Sequence, residues 1–178
     1  MNLLGVIAQC FGIFALSTTV SSFHFKEYRQ IVFLQLLSSV FFTIHFLLMY
    51  FSGQTDALTA GVLNAISLTR NVVLRYTADR RTEKGTAWIA GVFSVIVIIA
   101  GLITWKSPIS LLFIIAMVFI TIAMSIKNPN TLRLLMVIAM PFSFTYDLCI
   151  GSIGGSINEA ISFFSALIAY LRNRPSKS

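Results

Sequence analysis

Asn64 and the polar residues spaced around it are the side chains of this chain best placed to do chemistry. Ala60, Asn64, Ser67 and Asn71 stand at i, i+4, i+7 and i+11, which is one face of a helix. An amide both donates and accepts, so this face suits a solute rich in hydroxyls, such as a sugar or polyol. It equally suits hydrogen bonds between packed membrane helices. Gln35, Ser38, Phe42 and His45 make a second face at i, i+3, i+7 and i+10. An imidazole at position 45 can stack on a flat ligand, close a path or relay a proton; it can also just bond a neighbouring helix. Tyr146 offers a second ring. Ser162 and Ser165 add hydroxyls near Asn158 and Glu159, and the acids Asp56, Asp147 and Glu159 fall near span ends. Those acids read as an acidic outer vestibule, with Asn158, or, for Asp56 and Glu159 but not Asp147, as charges at helix starts, which favour the positive end of the helix.

The same inventory argues against catalysis. No nucleophile stands beside a base, no paired carboxylates fall at membrane depth, and neither HExxH nor CxxC occurs. No metal, cofactor or enzymatic activity is expected. Two cysteines, Cys10 and Cys149, make no disulfide framework.

The elements that must position these groups are apolar. The chain has 178 residues, 57% of them hydrophobic and 11% charged. Seven continuous apolar runs are read as spans, at 3–22, 31–51, 55–75, 87–105, 109–126, 131–150 and 156–171. Each is close to the roughly 20 residues that cross a bilayer as a helix. The runs do not alternate, so helices rather than barrel strands are expected. The first cations follow the first run, the reverse of a signal peptide, and that run reads as a retained helix.

The cations set the topology. The first, third and fifth connections and the C-terminal tail hold Lys26, Arg29, Arg75, Arg80, Arg81, Lys84, Lys127, Arg133, Arg172, Arg174 and Lys177. The N-terminus and the other connections hold only Lys106. Basic loops stay cytoplasmic, which predicts the N-terminus outside and the C-terminus inside. Arg70 lies within the third span, near its inner end, and is expected to snorkel to the inner surface. The net charge of +7 is thus spread over span ends rather than one basic face, so a lipid bilayer, not nucleic acid, is the expected partner.

An internal repeat follows from geometry. Three crossings end on the opposite side from where they began, and one inserted crossing restores the direction. The expected order is a three-helix bundle over 1–76, a cytoplasmic loop over 77–86 and a linker helix over 87–107. A second bundle over 108–172 and a cytoplasmic tail over 173–178 complete it. A shift of 101 residues aligns Ala15 with Ala116, Lys26 with Lys127, Phe41 with Phe142 and Gly53 with Gly154. The same shift pairs His45 with Tyr146, which makes the two rings candidates for an outer gate.

The stretches His45 to Gly53, Leu63 to Ile66 and Gly151 to Ala160 resemble the bacterial inner-membrane family of the YgjV type. The 3+1+3 plan resembles the SWEET and PQ-loop transporters. The chain departs from them in having no PQ dipeptide and one mid-span proline, Pro141, whose mate is Val40. The resemblance implies alternating-access transport of a small, sugar-like solute, with Asn64 matching a substrate-binding asparagine of the third helix. The alternative it implies is a membrane receptor or scaffold, for which 77–86 is the docking loop.

Overall fold

In a computed structural model, residues 3–78, 80 and 82–173 are described. They form seven α-helices and nothing else regular: α1 Leu3–His24, α2 Tyr28–Phe51, α3 Ala57–Thr77, α4 Glu83–Ile103, α5 Ser110–Ser125, α6 Pro129–Cys149 and α7 Ile153–Arg172. Each overlaps one of the seven apolar runs. Among the described residues α1, α2, α3 and α6 are long and apolar enough to cross a membrane, while the apolar stretches of α4 and α5 are shorter. Arg81, Arg174 and Lys177 of the basic set lie outside the described residues.

Local chemistry explains several boundaries. Asn128 caps α6, its side-chain oxygen accepting from the Asn130 and Thr131 amides at 2.9 and 3.3 Å, and Pro129 occupies the first turn, where its missing N–H is harmless. Ser152 caps α7 by accepting from the Gly155 amide. The tight α2–α3 and α6–α7 connections turn on Gly53 and Gly151, both at positive φ (109° and 73°).

The helices pack as a closed ring. α1 lies against α2, α2 against α3, α3 against α5, α5 against α6, α6 against α7, and α7 back against α1. α4 stands outside this ring, against α5 and α3. The α7–α1 contact is made by small residues, since a Cβ on Gly12 would meet the Gly154 backbone at 3.1 Å.

Apolar side chains turn outward around the ring, among them Ile13, Phe14, Val95, Ile99, Leu102, Phe164 and Ile168. Many buried side chains are polar, including Thr19, Ser38, Asn64, Arg70, Asn71, Ser143 and Asp147. That inversion is what a lipid solvent selects. Two apolar layers close the interior. One, around Phe46, Met49, Leu63, Phe113 and Tyr146, sits at the end that carries the α2–α3 and α6–α7 connections. The other, around Phe23, Ile31, Leu74, Met124 and Leu132, sits at the basic end.

Candidate functional site

Between the two layers lies a cavity of about 60 Å³ with side chains from all six ring helices in its wall. α1 supplies Thr19, α2 Gln35, Ser38 and Ser39, and α3 Asn64, Ser67 and Arg70. α5 supplies Phe113 and Met117, α6 Met140, Ser143 and Asp147, and α7 Asn158 and Glu159. Helical periodicity brings these residues to the inside because each stands on the buried stripe of its helix.

The α3 face is now concrete. Asn64 donates to the Ala60 carbonyl of its own helix at 3.0 Å, and no bond to another helix engages it among the described residues. Its side-chain oxygen is therefore free for the cavity. The Ser67 hydroxyl is buried and has no partner among the described residues. Asn71 stands one layer behind. It donates to Ser39 Oγ at 3.0 Å, and its oxygen accepts from Arg70 Nε and Nη2 at 3.2 and 3.0 Å.

Arg70 does not snorkel. It is 2% exposed, and its Nη1 donates to Thr121 Oγ1 of α5 at 2.8 Å. The reason is the fork of donors on a guanidinium, which Asn71 and Thr121 engage inside the ring. No carboxylate pairs with it among the described residues.

The acids also sort differently from the sequence reading. Asp147 is 2% exposed, lines the cavity, and its Oδ1 has no partner among the described residues. Room for its carboxylate comes from a glycine: a Cβ on Gly155 would stand 2.6 Å from Asp147 Oδ2. Glu159 accepts from Asn158 Nδ2 at 3.3 Å. It lies about two turns inside α7 rather than at its start, so the helix-start reading fails for it. Asp147 and Glu159 line the same cavity. Chain spacing hid this pair, because the two acids come from different helices. Ser162 is buried behind Asn158, donating to its oxygen at 3.5 Å, whereas Ser165 is half-buried and away from the cavity. Asp56 lies at the α2–α3 connection, outside the cavity wall.

His45 and Tyr146 stand above the cavity, towards the end poor in Lys and Arg. His45 Nδ1 lies 2.6 Å from the Ala8 carbonyl and Nε2 lies 2.8 Å from Ser152 Oγ. A carbonyl only accepts, so in the neutral ring Nδ1 carries the proton and Nε2 accepts from the Ser152 hydroxyl. Tyr146 donates to the Asp56 carbonyl at 2.6 Å. The two rings do not meet. Phe46 and Phe113 stand between them in a continuous series, with ring centres 4.7, 5.9 and 4.7 Å apart from His45 through to Tyr146. Sequence reasoning missed Phe46 and Phe113, which read as ordinary apolar residues. At the basic end Tyr28 donates to the Met124 carbonyl at 2.6 Å and Arg133 to the Phe25 carbonyl at 2.7 Å.

Outward apolar helices around a polar, enclosed interior define a multi-pass helical membrane protein. The chain belongs to the bacterial inner membrane protein family of the YgjV type, whose family model matches residues 6–177. No curated protein and no solved structure matches it.

Proposed function

We propose that this protein carries a small polar solute across the inner membrane by alternating access through the central cavity. The moving parts are two three-helix units, α1–α3 and α5–α7, joined by α4. All seven helices cross, with the N-terminus outside and the C-terminus cytoplasmic, a direction that the cation asymmetry supports. The observation that carries the reading is a cavity with polar side chains from both units in its wall, bridged at both ends by bonds from one unit to the other.

The ring order supports the repeat. Exchanging the units converts the α3–α5 contact into the α7–α1 contact and leaves the ring unchanged. The end bonds support it too. His45 reaches from the second helix of one unit to the hairpin of the other, and Tyr146 does the reverse. The solute class implied by the resemblance is sugar-like, and Asn64 with Ser67 supplies donors and acceptors for it.

A test needs no known solute. Asn64→Cys, in a background with Cys10 and Cys149 replaced by Ser, is treated with an impermeant thiol reagent from each side of the membrane. Labelling from both sides is expected, each suppressed by a crosslink that closes the end on the reagent's own side and kept by a crosslink across the opposite end. Labelling from one side only, under every condition, overturns alternating access.

A further inference from the structure

The cavity is lined by ionisable groups of both signs, and among the described residues no ion pair joins them. Asp147 is buried with an unpartnered oxygen, and Glu159 accepts from the neutral Asn158 amide. Arg70 is buried with Asn71 and Thr121, both neutral, as its partners. Buried charge is costly unless something pairs with it. Here both carboxylates stand nearer the end poor in Lys and Arg, and the guanidinium nearer the basic end. Neither can quench the other, and all three side chains line the same cavity.

We infer that the solute is a small zwitterion, an amino acid of the smallest size, bound with its ammonium towards Asp147 and Glu159 and its carboxylate towards Arg70. This rests on the transport reading and replaces the sugar-like class that the resemblance implied.

Dimensions agree. Counted from the helix ends poor in Lys and Arg, Thr121, which holds the guanidinium, lies about 16 Å along α5. Glu159 lies about 9 Å along α7. The axial gap is roughly 7 Å from Glu159 and about 13 Å from Asp147, which lies about 3 Å along α6, so Glu159 is the carboxylate within direct reach and the lateral offset between helices widens both gaps. Two charge-assisted hydrogen bonds of about 2.8 Å each, plus the amine-to-carboxylate width of an α-amino acid, span about 8–9 Å.

Volume agrees as well. A cavity of about 60 Å³ corresponds to roughly four to six water-sized positions, which is the heavy-atom count of the smallest amino acids. A hexose needs roughly twice that. Asn64, Asn158 and Ser143, also in the wall, would satisfy the remaining polar edges. The Gly155 cradle keeps the Asp147 carboxylate in place without a competing side chain.

The experiment uses the purified full-length protein, read by thermal shift and by uptake into proteoliposomes. The probes are glycine and alanine, glycolate as the anion alone, ethylamine as the cation alone, and glycerol and glucose as neutral solutes. Glycine and alanine should stabilise the protein and enter the vesicles. The single-charge probes should bind at least tenfold more weakly. Arg70→Gln should remove the response to glycine yet spare the weak response to ethylamine, and Asp147→Asn should do the opposite with glycolate. Arg70→Lys and Asp147→Glu, which keep the charges, serve if the neutral variants fail to fold, and should retain part of the glycine response. Stabilisation and uptake of glycerol or glucose in place of glycine would overturn the zwitterion while leaving transport standing. Silence to every probe, with position 64 still labelled alternately from both sides, would also overturn it. Silence together with one-sided labelling would remove the transport reading itself.

Discussion

Tyr146→Phe should unlatch one end of the cavity and leave the other closed. The hydroxyl lost is buried and donates to the Asp56 carbonyl at 2.6 Å, linking α6 to the α2–α3 hairpin. The ring itself stays, so its packing on Phe113 at 4.7 Å is kept. Hydrogen bonds between membrane helices are worth about 0.6–1.7 kcal/mol. With RT near 0.6 kcal/mol, that shifts an open-to-closed ratio by roughly 3- to 18-fold. The assay uses the Asn64→Cys variant, with the exposed Cys10 and Cys149 replaced. It reads the rate at which an impermeant reagent modifies the introduced thiol from the side poor in Lys and Arg. The expected result is an acceleration within that range from this side alone. An unchanged rate in a folded protein would show that the bond does not belong to a closure. Equal acceleration from both sides would mean general loosening and would refute the latch.

Three further outcomes are expected. Gly155→Ala puts a methyl 2.5 Å from Ser152 Oγ and 2.6 Å from Asp147 Oδ2, so thermal denaturation should show a loss of about 1–3 kcal/mol; a variant as stable as the parent would mean the carboxylate is not held there. Asn64→Ala should abolish solute-dependent stabilisation while leaving yield unchanged, because the bond it removes is local to α3; lost yield with solute response kept would make Asn64 a packing residue. A reporter fused after Lys177 should be cytoplasmic and a tag before Asn2 reachable from outside, and labelling of residues 79–84 from outside would sink the whole topology.

The apolar runs made the helices legible, since each of the seven overlaps one of them. Ends were less so: α2 starts at Tyr28 and α7 at Ile153, three residues before their runs, because caps and helix-compatible polar residues extend a helix beyond its apolar stretch. Asn64 and Ser67 were legible as wall residues from their chemistry at membrane depth, whereas Asp147, Asn158 and Glu159, which line the same cavity, read from the sequence only as an outer vestibule. Asn71 and Ser162 were legible as polar yet prove to support others, because helical spacing gives a face but not a distance from the axis. Arg70 was misread for a related reason. A long cation near a span end usually reaches water, and only the fold reveals Thr121 and Asn71 within its reach. Phe46 and Phe113 carried no signal, since an aromatic at a closure and one in a core have the same sequence appearance.

The two ends of the cavity are tied with comparable strength, and alternating access requires that balance. At the end poor in Lys and Arg, three neutral bonds, among them the Gly154 amide donating to Gln9 Oε1 at 2.7 Å, and the Phe46–Phe113 contact together come to about 3–4 kcal/mol. At the basic end, among the described residues, one neutral bond from Tyr28 and one charge-assisted bond from Arg133 come to about the same. With neither end dominant, the loss of one bond decides which opens. Arg133→Gln should therefore act as the mirror of Tyr146→Phe. Glutamine keeps a donor near the Phe25 carbonyl but loses the charge assistance, a change of about 1 kcal/mol or roughly fivefold in population. The thiol introduced by Asn64→Cys should then react about fivefold faster from the basic side, with no gain from the other. The Arg133 side chain is almost fully buried and its Nε has no partner among the described residues, so no alternative tie compensates. Faster labelling from the side poor in Lys and Arg, or no change on either side, would contradict a two-ended closure and leave Arg133 as a residue that only fastens the α1–α2 connection.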